Sequence, residues 1–286
     1  MDDNQREIRQ RVQNFYEEVG WKKSGQGVYA DAVLFEDLRE VSRDYIRKCH
    51  LRVNRYLAGP GNFLLDVASG PIQYDEYLTY GDRFRRRLCV DLSLTALKEA
   101  RGRLGDRGLY VVADMVNLPF KADCMAAVIS LHTLYHVPAA EQARAWRELY
   151  RVLKPRGRAI IVYDWGKHAL LMRLLSWPLR LAAFPGRLAR YGRRRIRSFW
   201  ESRPPGPAPA LYCHSHDLKW FEKHIKPEIP YTLYVWRSLS VGFLKGYIHA
   251  RLGGKRLLAA IYRLEDRYPG LLGRLGQYPL FVVEKP

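Results

Sequence analysis

The amino-acid sequence predicts an α/β protein whose mostly parallel sheet is doubly wound, with helices on both faces. Three observations predict it. Short apolar runs recur along the middle of the chain and end in small or acidic residues, as buried parallel strands do. Segments of helical periodicity about 10 to 15 residues long separate them, the alternation that builds parallel sheets. The first run, Phe63-Leu64-Leu65-Asp66-Val67, breaks into Ala68-Ser69-Gly70-Pro71, which is how a strand delivers its carboxyl end to a ligand crevice.

In order, residues 1–20 read as a polar helix with Val12, Phe15, Tyr16 and Val19 at helical spacing. Gly20–Gly27 breaks it. A second amphipathic helix is expected from Ala32 to Tyr56, ended by Gly59-Pro60-Gly61. This part has too few apolar residues for a core of its own, so 1–61 reads as a helical cap. The core, 62–165, holds strands at Phe63–Val67, Leu88–Val90, Leu109–Val112, Ala126–Leu131 and Arg158–Tyr163. Helices are expected at Tyr74–Tyr80, at Leu94–Arg103 with Ser93 as N-cap, and at Ala139–Leu153. The turn Lys154-Pro155-Arg156-Gly157 follows the last of these. Residues 166–213 form a basic amphipathic insertion. Residues 214–286 complete the sheet with a helix near His216–His224 and strands at Tyr231–Ser240 and Leu280–Val283, the two being sheet neighbours. A helical insertion, 241–277, lies between them.

With 286 residues, 48% hydrophobic and 27% charged, the chain can bury a full core and is not of disordered composition. Its 48 Lys and Arg against 29 Asp and Glu leave +19, a balance that favours polyanions, acidic surfaces or acidic substrates. Cys49, Cys89, Cys124 and Cys213 are dispersed, which argues against a disulfide framework or structural zinc and for a reducing cytoplasm. Met1-Asp2-Asp3-Asn4 lacks the pattern of a signal peptide. Ala169–Phe184, with Arg173 and Arg180 inside it, falls short of a membrane span. Cys213-His214-Ser215-His216 is no recognised ligand spacing, so no metal site is expected.

Three successive strands end in Asp66, Asp91 and Asp114, which aims three acceptors at one crevice. Asp91 follows the glycine by about 20 residues, where a carboxylate can bond a ribose diol. An Asp after a strand is often only a turn former or helix cap; three at these offsets point to a nucleoside.

These motifs, in this order over residues 62–165, resemble the class I S-adenosylmethionine-dependent methyltransferases, a Rossmann-like family. The resemblance is nearest to the small-molecule branch that includes quinone-biosynthesis enzymes (methyltransferase type 11). Leu64-Leu65-Asp66-Val67-Ala68-Ser69-Gly70-Pro71 resembles the family's first motif, and Val90-Asp91-Leu92-Ser93 its ribose-binding strand end. Ala113-Asp114-Met115-Val116-Asn117-Leu118-Pro119-Phe120 resembles its adenine-binding segment, and Leu153-Lys154-Pro155-Arg156-Gly157-Arg158 the turn before strand 5. The resemblance implies S-adenosyl-L-methionine as cofactor. It is expected at Asp66, Ala68, Ser69, Gly70, Asp91, Leu92, Asp114 and Met115, with Ser130 and Leu131 after strand 4. Tyr16 and Tyr29, with Trp21, are expected to close over it as a lid. His132, beside the implied methyl group, is the candidate base, with His136 one helical turn on. One departure stands out: Ala68 replaces the first glycine of D/E-x-G-x-G, so this backbone is expected to be less free to take positive φ.

The positive charge concentrates after strand 5. Between Lys167 and Arg203 ten basic residues meet one acid, Glu201, and Arg173, Arg180, Arg187 and Arg194 recur every seventh position among Leu, Trp and Phe. Such a stripe describes a helix lying in a membrane interface, split at Pro178 and Pro185. Three readings stay open: a lid packed on the domain, attachment to the inner face of an anionic membrane, and contact with nucleic acid. Three functions are weighed beside them, the last favoured only by Ala68. These are methylation of an apolar or lipid-like small molecule, methylation of RNA or protein held by the Arg-rich segment, and a non-catalytic scaffold that keeps the fold.

Overall fold

The computed structural model describes residues 3–25, 27–57, 59–175 and 211–286. The cap comprises α1 (Asp3–Phe15), a π-helical turn (Tyr16–Gly20), α2 (Ala30–Phe35) and α3 (Glu40–Leu51). Then follow β1 (Gly61–Val67), α4 (Asp75–Leu78), β2 (Phe84–Asp91), α5 (Leu94–Leu104), β3 (Gly108–Val112), β4 (Met125–Leu131), α6 (Gln142–Val152) and β5 (Leu153–Val162). After α7 (Leu170–Leu175) and residues 176–210, the chain continues with α8 (Leu218–His224), β6 (Tyr231–Arg237), α9 (Val241–Tyr247), α10 (Gly254–Arg267), α11 (Pro269–Leu275) and β7 (Tyr278–Glu284).

The strands form one sheet in the order β3-β2-β1-β4-β5-β7-β6. The first five run parallel, and β7 is antiparallel to both β5 and β6. Chain order reverses between β1 and β4, the switch point where an open α/β sheet leaves a crevice beyond its carboxyl ends. Leu64, Leu65 and Val67 of β1 and Ala127, Val128 and Ile129 of β4 are completely buried. Helix α6 buries Ala145, Trp146, Leu149 and Val152, one face at helical spacing. Helix α5 starts as expected, Ser93 Oγ accepting from Ala96 N. Val41, Tyr45, Ile46, Cys49 and Val53 of the cap join the same apolar cluster as the sheet.

Three elements differ from the sequence reading. The single helix expected over Ala32–Tyr56 is two, α2 and α3, because Glu36 and Asp37 turn inward. Asp37 Oδ2 accepts from Ser42 Oγ at 2.6 Å, and Glu36 Oε1 from Arg237 Nη1 at 2.6 Å. Strand β2 starts four residues early, at Phe84, since Arg87 is buried by pairing with Asp66 and so occupies a core position. Strand β5 starts at Leu153 instead of Arg158. The expected turn survives as a bulge: Met125 pairs with Leu153 but Ala127 with Arg158, and Arg156 takes φ 62°. The recurring arginines Arg180, Arg187 and Arg194 lie outside the described residues; Arg173 is on α7.

Candidate active site

The chain leaves β1 through an unusual backbone. Ala68, Gly70 and Ile72 have φ of 54°, 57° and 56°, all left-handed. A left-handed L-residue costs roughly 1–2 kcal/mol, so the expectation that Ala68 would restrain this backbone is corrected: the conformation forms despite its side chain. Complete burial of Ile72 against α5 helps hold the turn. At Gly70 a Cβ would also stand 2.9 Å from the Trp21 ring. The turn then locks onto β2, with Ser69 N donating to Val90 O at 3.1 Å and Gly70 N to Asp91 Oδ2 at 2.9 Å. Asp91 Oδ1 accepts from Ser93 N at 2.9 Å, and burial pushes the Asp91 carboxyl up to about 6.

Asp66 is buried and takes both Arg87 Nε, at 3.0 Å, and Arg87 Nη2 on one oxygen. Asp114 accepts from Val116 N at 3.0 Å and pairs with Arg9 Nε at 2.8 Å, while Arg9 Nη2 reaches Glu141. Helix α1 is thereby tied across the β3 end.

The cap is tied to β4 as well. His136 donates from Nδ1 to Tyr212 O at 2.8 Å, which leaves Nε2 to accept from the Tyr16 hydroxyl at 3.3 Å. Burial lowers the His136 pKa to about 4. The Tyr16 ring stacks on Trp21 at 4.8 Å. His132 emerges from β4 with φ 60°, and its ring meets Trp236 edge-on at 4.4 Å and Tyr278 at 5.3 Å. Burial, with the nearby Arg237 charge, depresses the His132 pKa to about 3. It is therefore neutral at ordinary pH. Arg237 is buried at the end of β6, its guanidinium carbon 5.0 Å from the Trp236 ring and 4.7 Å from the Tyr278 ring.

These groups surround a cavity of about 470 Å³, within the range of small-molecule sites. Of the residues expected to bind cofactor, Tyr16, Asp66, Ala68, Ser69, Gly70, Asp91, Leu92, Asp114, Met115 and Leu131 line it, as does His132. Tyr29 and Ser130 are not among the lining residues. Tyr29 packs behind Trp21 and donates to Glu99 Oε2 at 3.0 Å; Ser130 is buried within 2.6 Å of Thr133 Oγ1. Sequence reasoning missed Arg9, Asp31, Glu36, Gln73, Tyr74, Asp164, Trp236, Arg237 and Tyr278, all of which line the cavity. Arg237 falls inside the expected strand Tyr231–Ser240, where nothing local marks it as a site residue.

The lining holds six carboxylates, Asp31, Glu36, Asp66, Asp91, Asp114 and Asp164, against Arg9, Arg87 and Arg237. Each arginine pairs with one of them. Asp31, Asp91 and Asp164 have no ion-pair partner among the described residues. Asp31, which accepts from Gln73 Nε2 at 3.0 Å, is pushed by burial to about 6. A chain of net +19 thus encloses a negative cavity. That fits the sulfonium and ammonium of S-adenosylmethionine, which the residues at the ends of β1, β2 and β3 would hold.

Residues 65–161 match the profile of a methyltransferase domain family, Methyltransf_11. Among curated proteins the chain is similar to a probable tRNA methyltransferase 9B of Mus musculus, 29% identical over 136 residues, or 46% of this chain and 28% of the relative. The chain therefore spans a little over a quarter of that relative's length. Among solved structures it is similar to phosphoethanolamine N-methyltransferase 1 of Haemonchus contortus, with TM-score 0.58 and 12% identity over 99% of this chain and 50% of that one. It also resembles geranyl diphosphate C-methyltransferase of Streptomyces coelicolor A3(2), with TM-score 0.53 and 16% identity over 98% of both chains. At these identities the two structures speak for the fold.

Proposed function

We propose, from the premise that this chain is a class I S-adenosylmethionine-dependent methyltransferase with its Methyltransf_11 domain at residues 65–161, that its acceptor is a small molecule with an apolar body. The observation that carries this reading is the cap. Through Arg9, Tyr16 and Trp21 it folds over the strand ends, so the acceptor must fit inside a cavity walled by Leu34, Phe35, Tyr74, Tyr135, Trp236 and Tyr278.

The cofactor supplies an electrophilic methyl on a positive sulfur. The protein has to hold the acceptor in line with it and keep water out, a proximity effect to which the cap folded over the cavity contributes. Neutral His132 can accept a hydrogen bond from the acceptor and so orient it.

An apolar rim supports a lipid-like acceptor. Val33, Phe35 and Leu38 in and beside α2 are exposed, and so are Leu170, Leu174 and Leu175 around α7. Helix α9 and the residue before it link the two, Lys245 Nζ reaching Val33 O and Met172 Sδ accepting from Ser240 N. The basic residues of 167–203 adjoin this rim in sequence, the combination that attracts a protein to an anionic membrane surface. No helix among the described residues is long and apolar enough to cross a membrane. The likeness to a tRNA methyltransferase favours a second reading, an RNA acceptor, which the negative cavity opposes. Labelled-methyl transfer into total lipid, RNA and protein fractions tests the two. Label in lipid or small organic extracts supports the small-molecule reading; label in RNA alone overturns it.

A further inference from the structure

We infer that the acceptor presents an uncharged hydroxyl oxygen to Trp236 and Arg237, so that the reaction is an O-methylation of a neutral, apolar-bodied alcohol or phenol. This rests on the small-molecule reading above and names the acceptor's chemistry. Strand β6 ends by placing two donors in succession. Trp236 is 2% exposed and its indole Nε1 has no acceptor. Arg237 is 1% exposed, and its Nε has none either, although its Nη1 donates to Glu36 Oε1 at 2.6 Å. Buried donors are seldom left unpaired, because each costs free energy that a partner would recover. Both residues line the cavity, and the ring of His132 lies 4.4 Å from that of Trp236.

A hydroxyl matches this arrangement in both directions: its oxygen accepts from the indole or guanidinium, and its proton is donated to the imidazole. An ammonium matches these two donors less well, since it has no lone pair with which to accept from Trp236 Nε1 or Arg237 Nε. A phosphate ester would meet six carboxylates against three arginines, each arginine already paired.

In the step itself an oxygen lone pair forms the new C–O bond while the C–S bond breaks toward sulfur, which becomes a neutral thioether. The oxygen proton passes to the imidazole of His132 and on to water. A depressed imidazole basicity is sufficient, because the protonated ether formed by the transfer is a far stronger acid than any imidazolium.

The test uses the full chain loaded with S-adenosylhomocysteine, and four probes that share one apolar body: 4-hexylphenol, hexylbenzene, 4-hexylbenzylamine and 4-hexylphenyl phosphate. By calorimetry the phenol is expected to bind about tenfold more tightly than hexylbenzene, the gain expected of a paired buried hydrogen bond. Trp236→Phe, which removes the indole N–H and keeps an aromatic ring, is expected to shrink that gap to about threefold. With labelled S-adenosylmethionine the ether of the phenol is the expected product. Equal or absent binding of phenol and hexylbenzene, or label in the amine or the phosphate but not the phenol, would overturn the inference. Absence of S-adenosylhomocysteine binding in the unmodified chain would instead sink the methyltransferase reading on which it rests.

Discussion

At the ends of β1, β2 and β3 the cavity is shaped mainly by backbone, with Arg9 of α1 tied across the β3 end, whereas at the ends of β4, β5 and β6 it is shaped by side chains from distant segments. On the first side, Gly70 N and Ser93 N hold Asp91, Val116 N holds Asp114, and Ser69 N binds the neighbouring strand. These bonds are local or join adjacent strands. On the second side, Glu36 comes from the cap, His132 from β4, Asp164 from beyond β5 and Arg237 from β6, and the pair between Glu36 and Arg237 spans 201 positions. A backbone-built half suits a cofactor common to many proteins. A half built of side chains can be changed residue by residue, as acceptor specificity requires.

The largest expected effect tests the first half. Asp66→Ala leaves Arg87 buried without its carboxylate and is expected to cost about 3–5 kcal/mol of folding stability, read as a lower denaturant midpoint. Replacing both partners, Asp66→Leu with Arg87→Met, is expected to restore most of it. A single variant of native stability would show that Asp66 serves only the ligand, as the sequence alone implies.

Protonation separates the halves by sign. Asp31 and Asp91 have folded pKa values raised to about 6, so their charged forms, which attract a cationic ligand, disappear as pH falls through 6. Cofactor affinity is expected to drop about tenfold per pH unit below that point for each group that must ionise, measured by calorimetry from pH 7.5 to 5. Asp31→Asn is expected to weaken binding at pH 7.5 and to flatten the profile. Glu36 behaves oppositely, held near 2 by Arg237 and His50 against the desolvation that alone would raise it. Its folded pKa lies below the unfolded value, so it stabilises the fold above about pH 4.5 and that contribution is lost as pH falls toward 2. Glu36→Gln is expected to lose stability at neutral pH and to show a shallower acid limb on a stability–pH curve.

Smaller effects probe the turn and the lid. Gly70→Ala adds a Cβ to a left-handed residue and presses it on Trp21; it is expected to cost about 1–2 kcal/mol and to weaken cofactor binding. Tyr16→Phe removes the bond to His136, with an expected loss of about 0.5–1.5 kcal/mol in chemical denaturation. Ala68→Gly, which releases left-handed strain but frees the unfolded chain, is expected to change stability by no more than about 1 kcal/mol.

The parallel core was legible because its signals are local. An apolar run, a terminal Asp and a small-residue turn are all read within ten residues, and Ser93 caps α5 where its position says it should. The same locality explains why Asp66, Asp91 and Asp114 were found together. Misreadings arose where a distant partner overrode a local pattern. Arg85-Arg86-Arg87 does not read as a strand until Asp66 is known to neutralise the third arginine. Ala32–Tyr56 reads as one helix until Arg237 draws Glu36 inward. Tyr29 shares the aromatic character of Tyr16 and Trp21, but its hydroxyl is committed to Glu99, a pairing no spacing rule reveals.

By itself, then, the sequence determined the strand ends and the order of the motifs, because backbone geometry and nearest-neighbour chemistry settle these within a few residues, and the resemblance those motifs carry implied the cofactor. Only the tertiary structure decided the charge and shape of the half proposed to face the acceptor. A cavity wall made of Glu36, His132, Trp236 and Arg237 exists only once the sheet has brought β4 and β6 beneath one cap, and its electrostatics depend on which buried charges then find a partner.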